Sequence, residues 1–411
     1  MQYLKNIYHF LSALFSSYWY GFPAKKMTVI GITGTDGKTT TTHLVYHILK
    51  TANLPVSFIS TVEANLQGKH LDTGFHVTTP SPYKLQRLIY QAQKAASLYL
   101  VLEVTSHALD QYRVSGIHID IAVITNISHE HLDYHKNMKN YLSAKAKILK
   151  GAKYAILNSD DENFSYLKKK VTGNILTFSL KKKPFSKTFD IPLNPHLLGN
   201  YNKYNILAAV TVAKILKIGD QYIQKAIRTF PGVPGRLEEI KTKKHFRIYI
   251  DFAHKINALK QVLITVRQFT PKRVIAVFGA AGLRDYLKRP IMGKTAGEFA
   301  DITVLTAEDP RTEDVRSIIN QIAQGLLSKK VIEMNKSDAK LHFHNGRKYF
   351  FRIPDRQEAI NFAIRRLAKP GDTVICCGKG HEKSMCYGKD EYPWDEKQAV
   401  LKALYGSVNS S

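Results

Sequence analysis

The stretch Met27-Thr-Val-Ile-Gly-Ile-Thr33-Gly34-Thr35-Asp36-Gly37-Lys38-Thr39-Thr40 decides the fold of this chain. Residues 27–33 form an apolar run of strand length, and residues 39–52 after it read as a helix. Between the two, glycines let backbone N–H groups converge on phosphate oxygens, and the start of the helix adds positive potential there. In such a loop Lys38 meets the β- and γ-phosphates and Thr39 holds Mg2+. The pattern is the shorter G-x-x-G-K-T form, because Ile32 occupies the first glycine position of the longer phosphate-loop pattern. Strand, loop and helix in this order point to a nucleotide site built from Gly34, Thr35, Asp36, Gly37, Lys38, Thr39 and Thr40.

Working outward, residues 99–103 (YLVLE) and 121–125 (IAVIT) are further strand candidates. Apolar strands alternating with helical stretches over 27–128 predict an α/β fold, a parallel sheet covered by helices. A second series of strands is expected at 246–251, 273–278, 302–306 and 373–377, with helical stretches between them. Residues 168–187 are Lys-rich and read as an exposed loop or hairpin. The domain boundary falls near Gly235, and no fixed-period repeat is present.

The chain has 411 residues, enough for two or three domains at about 150 each. Apolar residues at 44% and charged residues at 23% exclude wholesale disorder, a collagen-like fibre and a disulfide-stapled mini-protein. Lys and Arg number 60 against 33 Asp and Glu, a net charge of +27. That excess fits an anionic partner (nucleic acid, phosphorylated substrate or membrane surface) or simply a Lys-rich genome. No helicase motif, aromatic stacking series or recognition-helix pattern accompanies the charge, so no nucleic-acid partner is expected. The three cysteines, Cys376, Cys377 and Cys386, are clustered, which fits a reducing compartment and not a disulfide framework. Cys376 and Cys377 end an apolar run and read as buried strand residues, and no spaced His/Cys set suggests zinc.

Residues 6–24 carry no Lys, Arg, Asp or Glu and are rich in aromatics, with Lys5 before them and Lys25 and Lys26 after. Serines, tyrosines and His9 dilute the run below the roughly 20 apolar residues of a membrane span. Tyr-Gly-Phe-Pro is a poor signal-peptide cleavage site. Two alternatives stand: a helix docked on the body of the protein, or an interfacial helix with Trp and Tyr at headgroup level and lysines on anionic lipid.

Further segments carry chemistry. They are Leu102-Glu103-Val-Thr105-Ser106-His107-Ala-Leu-Asp-Gln111-Tyr-Arg113, then Thr125-Asn126-Ile-Ser-His129-Glu130-His131-Leu132-Asp133-Tyr134-His135 with Tyr141-Leu-Ser-Ala-Lys145, then Gly199-Asn-Tyr-Asn202-Lys-Tyr-Asn205. The C-terminal half adds Pro234-Gly235-Arg236-Leu-Glu238, Asp251-Phe-Ala253-His254, Gly279-Ala-Ala-Gly282-Leu-Arg284-Asp285, Glu308-Asp309-Pro310-Arg311-Thr-Glu313 and Gly378-Lys379-Gly380-His381-Glu382. With the phosphate loop, and over roughly residues 27–400, these closely resemble the Mur ligase family, and within it the branch that adds the third peptide residue of peptidoglycan.

Residues 1–26 read as a short aromatic helical segment, and the resemblance implies a central phosphate-loop NTPase-like domain over 27–235 and a Rossmann-like domain over 236–411 that binds the amino acid. It implies an ATP-dependent, ADP-forming ligase that joins a diamino acid to a muramoyl-peptide carboxylate. Because a carboxylate is a poor electrophile, phosphorylation by ATP first makes an acyl phosphate, which the amine attacks. Such a site gathers negative charge and needs Mg2+ and lysines. By resemblance the catalytic set is Lys38, Glu103, His131 and Lys145; Thr39, Glu103 and His131 are metal ligands, and Lys145 is carbamylated and supports a second Mg2+. Asn126, Asn202, Arg236, Asp251 and His254 match positions around nucleotide and phosphate, although Lys255-Ile256-Asn257 replaces the family's Thr-Pro-Asp after that histidine.

Thr78, Thr79, Thr105, Gln111 and Arg113 match contacts to the sugar-peptide acceptor. Arg284, Asp309, Arg311, Gly378 and Glu382 match the amino-acid pocket, where Arg311 can fork onto a distal carboxylate and Glu382 can pair with a distal ammonium. Arginine at this place marks users of meso-diaminopimelate, whereas Asp309, where the family has Asn, favours a cation. The expected donor is meso-diaminopimelate, with lysine as the alternative. Only about 27 residues precede the first strand, where the family has a domain that grips UDP. The expectation is a cytoplasmic monomer, at the inner face of the membrane if the N-terminal segment binds lipid, with a lipid-linked acceptor as the alternative substrate. Arg311 and residues 378–382 argue against a polyglutamate or cyanophycin-type ligase, and Lys38, Glu103, His131 and Lys145 argue against an inactive scaffold.

Overall fold

The computed structural model describes residues 2–71, 79–128, 130–181, 191–340 and 346–406, so Thr78 and His129 lie outside the described residues. The chain divides into two compact units, Met1–Pro231 and Gly232–Ser411.

In the first unit the decisive strand is β1 (Thr28–Thr33). It belongs to an eight-stranded sheet with β2 (Val56–Ile59), β3 (Ala64–Leu66), β4 (Lys69–Leu71), β5 (Tyr99–Glu103), β6 (Ile121–Ile124), β7 (Tyr154–Asn158) and β8 (Asn174–Phe178), in the order β4-β3-β2-β5-β1-β6-β7-β8. Strands β2, β5, β1, β6, β7 and β8 run parallel, and β3 and β4 form antiparallel additions at one edge. Because helices cover both faces, β1 reads as a continuous apolar run and not an alternating one. Val29, Leu100, Leu102, Ala122, Ile124, Ala155 and Leu157 supply part of the core.

The helices of this unit include α1 (Gln2–Trp19), α2 (Lys38–Thr51), α3 (Pro82–Lys94), α4 (Ser106–Asp110), α5 (Leu132–His135), α6 (Met138–Ala146), α7 (Phe164–Lys168) and α8 (Asn200–Ile215). Helix α2 packs on α8, and α1 packs on α3. The parallel register sets Ile32 beside Glu103 and Thr33 beside Ile124. The loops leaving β1, β5 and β6 therefore emerge side by side at the carboxyl edge of the sheet, where open α/β sheets bind ligands.

The stretch 168–187 departs from its expected loop or hairpin. Residues 174–178 are β8, an edge strand paired parallel to β7, and residues 182–190 lie outside the described residues. The strand is anchored beyond its end, where Asp160 accepts from Ser179 Oγ at 2.7 Å and from Leu180 N at 2.8 Å.

The second unit holds β9 (Glu238–Glu239), β10 (Arg247–Asp251), β11 (Val274–Phe278), β12 (Ile302–Leu305), β13 (Ile332–Glu333), β14 (Tyr349–Arg352) and β15 (Thr373–Cys377), in the order β13-β14-β12-β11-β15-β10-β9. All are parallel except β9. Ile248, Ile250, Ile275, Val277, Val304, Val374 and Cys376 lie in its core. Cys376 and Cys377 are fully buried, and burial pushes both thiols above their usual range.

One ion pair lies wholly inside this unit. Arg356 donates to Glu396 at 2.9 and 2.6 Å and to the carbonyls of Ala307 and Cys377, and both side chains have no exposed surface. Burial opposes the charge on Arg356, yet Glu396 holds it above its ordinary range. Replacing one member leaves the other buried and unpaired. Arg356→Met is expected to destabilise the second unit by about 3–5 kcal/mol. Urea unfolding followed by fluorescence checks this, because Trp394 Nε1 donates to Glu396 at 2.7 Å and reports on the same carboxylate. A midpoint within error of the wild type contradicts it.

Candidate active site

The phosphate loop is braced by the loop that follows β6. Thr35 N donates to Asn126 O at 2.8 Å and Asp36 N to Asn126 Oδ1 at 3.0 Å, while Asn126 Nδ2 donates back to Asp36 O at 3.0 Å. Thr125 Oγ1 donates to the same carbonyl at 2.6 Å. The fit leaves no space for side chains: a Cβ on Gly34 would lie 1.8 Å from Thr125 Oγ1, and one on Gly37 would lie 2.1 Å from Asn205 Oδ1. Gly37 also has φ +81, a left-handed conformation. Asn205 in turn donates to Asn202 Oδ1 at 2.9 Å, and Asn202 Nδ2 reaches Leu198 O at 2.8 Å. Lys38 Nζ folds back onto the carbonyls of Gly34 and Thr35, at 3.1 and 3.0 Å. Thr40 lies buried in the first turn of α2.

Glu103, at the end of β5, is buried beside this loop. Its carboxylate accepts from Thr39 Oγ1 at 3.1 Å, from Thr61 Oγ1 at 2.9 Å and from Thr61 N at 3.0 Å. Lys145, on α6, is also buried; its ammonium donates to Gly34 O at 2.6 Å and lies 4.8 Å over the ring of Tyr141. Tyr141 OH and Thr35 Oγ1 are 3.0 Å apart, and burial pushes the phenol well above its ordinary range, so it stays protonated. His131 is half-buried, in a left-handed backbone conformation (φ 54), with its ring edge-on to His107 and near Tyr141. The structure thus joins Thr39 to Glu103 and Lys145 to the phosphate loop. Among the described residues, no three His, Cys, Asp or Glu side chains form a ready-made metal cluster.

The residues expected at the acceptor gather in a third cluster. Thr79 Oγ1 lies 3.3 Å from Thr105 Oγ1 and accepts from Thr105 N at 3.2 Å. Thr105 caps α4 by accepting from Ala108 N at 3.1 Å. Arg113 donates to Thr79 O at 3.1 Å and to Gln111 Oε1 at 2.8 Å, and Gln111 donates to Tyr134 OH at 3.1 Å.

In the second unit Asp251 orders a turn, accepting from Leu237 N at 2.6 Å and Ala253 N at 2.8 Å. The guanidinium of Arg236 lies 4.5 Å over Phe252, whose ring also packs on His254 and His381. Despite the altered residues after it, His254 is tied to the local backbone: its Nδ1 lies 2.8 Å from Phe252 O, and Lys288 donates to its own carbonyl at 2.8 Å. Burial, with Lys255 and Lys288 nearby, holds its ring well below the usual imidazole range.

The loops leaving β11, β12 and β15 carry the expected amino-acid pocket. Asp309 and Arg311 both have positive φ, 32 and 56, on either side of Pro310, a strained arrangement of the kind that collects at functional loops. Asp309 does not present an isolated negative charge. The buried Lys379 donates to it at 2.7 Å and to Glu382 at 2.6 Å, and Cys386 N donates to it at 3.1 Å. The cation that Asp309 is expected to favour is, within this structure, the ammonium of Lys379. Gly378 (φ +111) faces the buried Glu308, and Arg284 is exposed.

These sites can be set beside known proteins. The Mur ligase middle domain profile matches residues 32–213, and the Mur ligase glutamate ligase domain profile matches residues 235–380. The UDP-N-acetylmuramoyl-L-alanyl-D-glutamate–2,6-diaminopimelate ligase of Geobacter metallireducens is 35% identical, over 94% of this chain and 80% of that protein. This chain belongs to the Mur ligase family. A solved diaminopimelate ligase of that name superposes with a TM-score of 0.61 at 28% identity, covering 92% of this chain and 78% of that one. The bifunctional folylpolyglutamate synthase/dihydrofolate synthase of Yersinia pestis, solved with AMPPNP and manganese, shares the fold of this Mur ligase, with a TM-score of 0.69 at 18% identity over 96% of this chain and 92% of that one.

Several residues of the site were not singled out from the sequence. Thr61 holds Glu103 from a loop distant in sequence, and nothing local announces it. Asn205 and Tyr141 stand in segments that were singled out, yet their partners, Gly37 and Thr35, are set by tertiary packing. Lys379 lies beside Gly378 in the same motif, and only its pairing with Asp309 and Glu382 in the fold marks it. Gly37→Ala in this Mur ligase must adopt a left-handed backbone and push on Asn205. It is expected to cost the first unit about 1–3 kcal/mol, seen as a lowered unfolding midpoint. An unshifted midpoint would mean that the loop relaxes freely.

Proposed function

We propose that this chain is an ATP-dependent, ADP-forming ligase that adds meso-diaminopimelate to the carboxylate of a muramoyl-dipeptide in peptidoglycan synthesis. The observation that carries it is the convergence at one sheet edge of the Gly34–Thr40 loop, Lys38, and a buried Glu103 joined to Thr39. ATP supplies the phosphoryl group that converts the acceptor carboxylate into an acyl phosphate. The loop's N–H groups and Lys38 receive the phosphates; on binding, the ammonium exchanges the carbonyls of Gly34 and Thr35 for phosphate oxygens.

Thr39 and Glu103 offer the hard oxygen ligands that suit Mg2+, an ion commonly held by one or two carboxylates together with substrate phosphates and water. That ion would offset the charge of the phosphates. His131 would complete the protein's share. Lys145 is placed to act on the same loop, and its carbamylated form would carry a carboxylate to this spot. Asn126 and Asn202 brace the loop that receives the nucleotide in the first unit, and Arg236, Asp251 and His254 are the second unit's own candidates for nucleotide contact. Thr79, Thr105, Gln111 and Arg113 orient the acceptor, with Thr78 adjoining them in sequence.

At the other substrate, Arg311 and Arg284 receive carboxylates and Glu382 the distal ammonium of the diamino acid. The Lys379–Asp309 pair supports meso-diaminopimelate over lysine, because it neutralises the acid that would repel a distal carboxylate.

The deciding experiment is phosphate release from ATP with UDP-MurNAc-dipeptide as acceptor and either meso-diaminopimelate or lysine as donor. Turnover that needs both acceptor and meso-diaminopimelate is expected; turnover with lysine alone overturns the donor assignment. Glu103→Gln and Lys38→Ala are each expected to lower kcat by about a hundredfold or more while the fold is kept.

A pH profile tests the donor pocket. Burial, only partly offset by Lys379, pushes the Glu382 carboxyl up to about 7. It therefore becomes ionised as pH rises from 6 to 8, and only the ionised form attracts an ammonium. KM for the diamino acid should fall about three- to tenfold over that range. In Glu382→Gln this dependence should flatten, and an unchanged profile removes Glu382 from the pocket.

A further inference from the structure

Helix α1 is fixed along one side and bare along the other. On the inner side Ala13, Ser16 and Ser17 are buried. Gln2 donates to Tyr134 OH at 2.9 Å and Asn6 to Asp110 O at 3.3 Å. Tyr20, just past the helix, packs between Tyr83 and Tyr90 of α3. The helix is thus held at both ends by the body of the first unit.

On the outer side Leu4, Tyr8, Leu11, Phe15, Tyr18 and Trp19 are each 60–74% exposed. Positions 4, 8, 11, 15 and 18 recur at three- and four-residue steps, so they form one stripe along the helix. A continuous exposed apolar stripe of this kind marks an interaction surface. Neither α1 nor α3 contains an acidic residue. Lys5, Lys25 and Lys26 flank the stripe, and Lys84, Arg87 and Lys94 stand exposed on the adjoining α3.

We propose that this face, the apolar stripe of α1 with the basic edges beside it, docks on the surface of an anionic lipid bilayer. Shape, chemistry and charge agree. No helix among the described residues is long and apolar enough to cross a membrane, and the proposed docking lays α1 along the bilayer surface with its apolar stripe inward. Trp19, Tyr18 and Tyr8 are the amphipathic aromatics that settle at headgroup level, and Phe15 and Leu11 reach the acyl boundary. Apolar burial and a basic patch together supply the two signals that stable surface binding needs. A second copy of the chain is a poor occupant, because pairing two such faces sets basic edge against basic edge. Since α1 bonds to Tyr134 and Asp110, docking also carries the Gln111–Arg113 cluster toward the bilayer, a consequence that rests on the proposed ligase function.

The test uses the full chain with phosphatidylcholine vesicles, with and without phosphatidylglycerol, in a flotation assay. Tryptophan emission is followed in parallel. Binding to the phosphatidylglycerol vesicles is expected, with a blue shift and steep weakening by salt. Phe15→Ser with Trp19→Ser should weaken it about tenfold or more, and Lys84→Glu with Arg87→Glu should do the same. Neither pair lies in the catalytic machinery, so ADP release with soluble substrates should stay at the wild-type rate in both. That readout separates failure of the membrane proposal from failure of the ligase assignment. Absence of vesicle binding overturns the proposal, as does binding at the wild-type level by both variant pairs. So does a concentration-dependent dimer, abolished by Phe15→Ser with Trp19→Ser, in a chain that ignores vesicles.

Discussion

Burying β1 between β5 and β6 leaves its backbone groups to pair chiefly with those two strands, with Asp120 accepting from Val29 N at 2.8 Å. Parallel pairing on both sides then fixes Ile32 beside Glu103 and Thr33 beside Ile124. From that register the rest of the first site follows. The phosphate loop must leave the sheet where Glu103 ends and where Thr125 and Asn126 begin. Its carbonyls and amides find partners in Asn126 and Thr125, and Gly34 and Gly37 are pressed so closely that any side chain there must displace Thr125 or Asn205. The buried carboxylate of Glu103 is tolerable because Thr39 and Thr61 hydrogen-bond it. Threonine is a poor helix former, yet residues 39–42 are all buried threonines in the first turns of α2. Thr39 and Thr41 gain side-chain partners there, in Glu103 and Asn205, and this tertiary bonding outweighs local propensity.

The second unit handles charge differently. Among the described residues its buried Lys and Arg side chains are paired: Arg356 with Glu396, Arg289 with Glu313, and Lys379 with both Asp309 and Glu382. A buried pair contributes little net stability against a well-packed apolar alternative, but it is costly to break. Such pairs therefore act as positional clamps. The Lys379 clamp holds the loop with positive φ at Asp309 and Arg311 against the loop that follows β15. The same burial that makes the clamp strict raises the Glu382 carboxyl to about 7, so the charge beside Lys379 is sensitive to pH near neutrality.

The net charge of +27 has no single meaning on its own. The fold divides part of it between two kinds of place. Some lysines and arginines sit in the loop after β1 and in the loops after β11, β12 and β15; others lie along α3 beside the bare face of α1. The first group suits substrates rich in negative charge. The second, next to an apolar stripe, suits a negatively charged surface.

Much of this was written in local pattern. Apolar runs of strand length located β5 and β15 at their observed bounds, and glycine spacing located the turn between β1 and α2, because both depend on neighbours in sequence. Motif order carried the family. Edge strand β8 escaped, since a half-exposed strand amid lysines has no clear periodicity and is specified by pairing with β7 and by Asp160. Whether Asp309 repels a carboxylate also depended on a group 70 residues away, Lys379. Thr61 on Glu103 and Asn205 under Gly37 are of the same kind. Residue types and their spacing determined the elements, the nucleotide loop and the chemistry on offer. Tertiary structure alone decided which charges cancel, which hydroxyl holds which carboxylate and which side of α1 meets solvent, because those depend on distances that only packing sets.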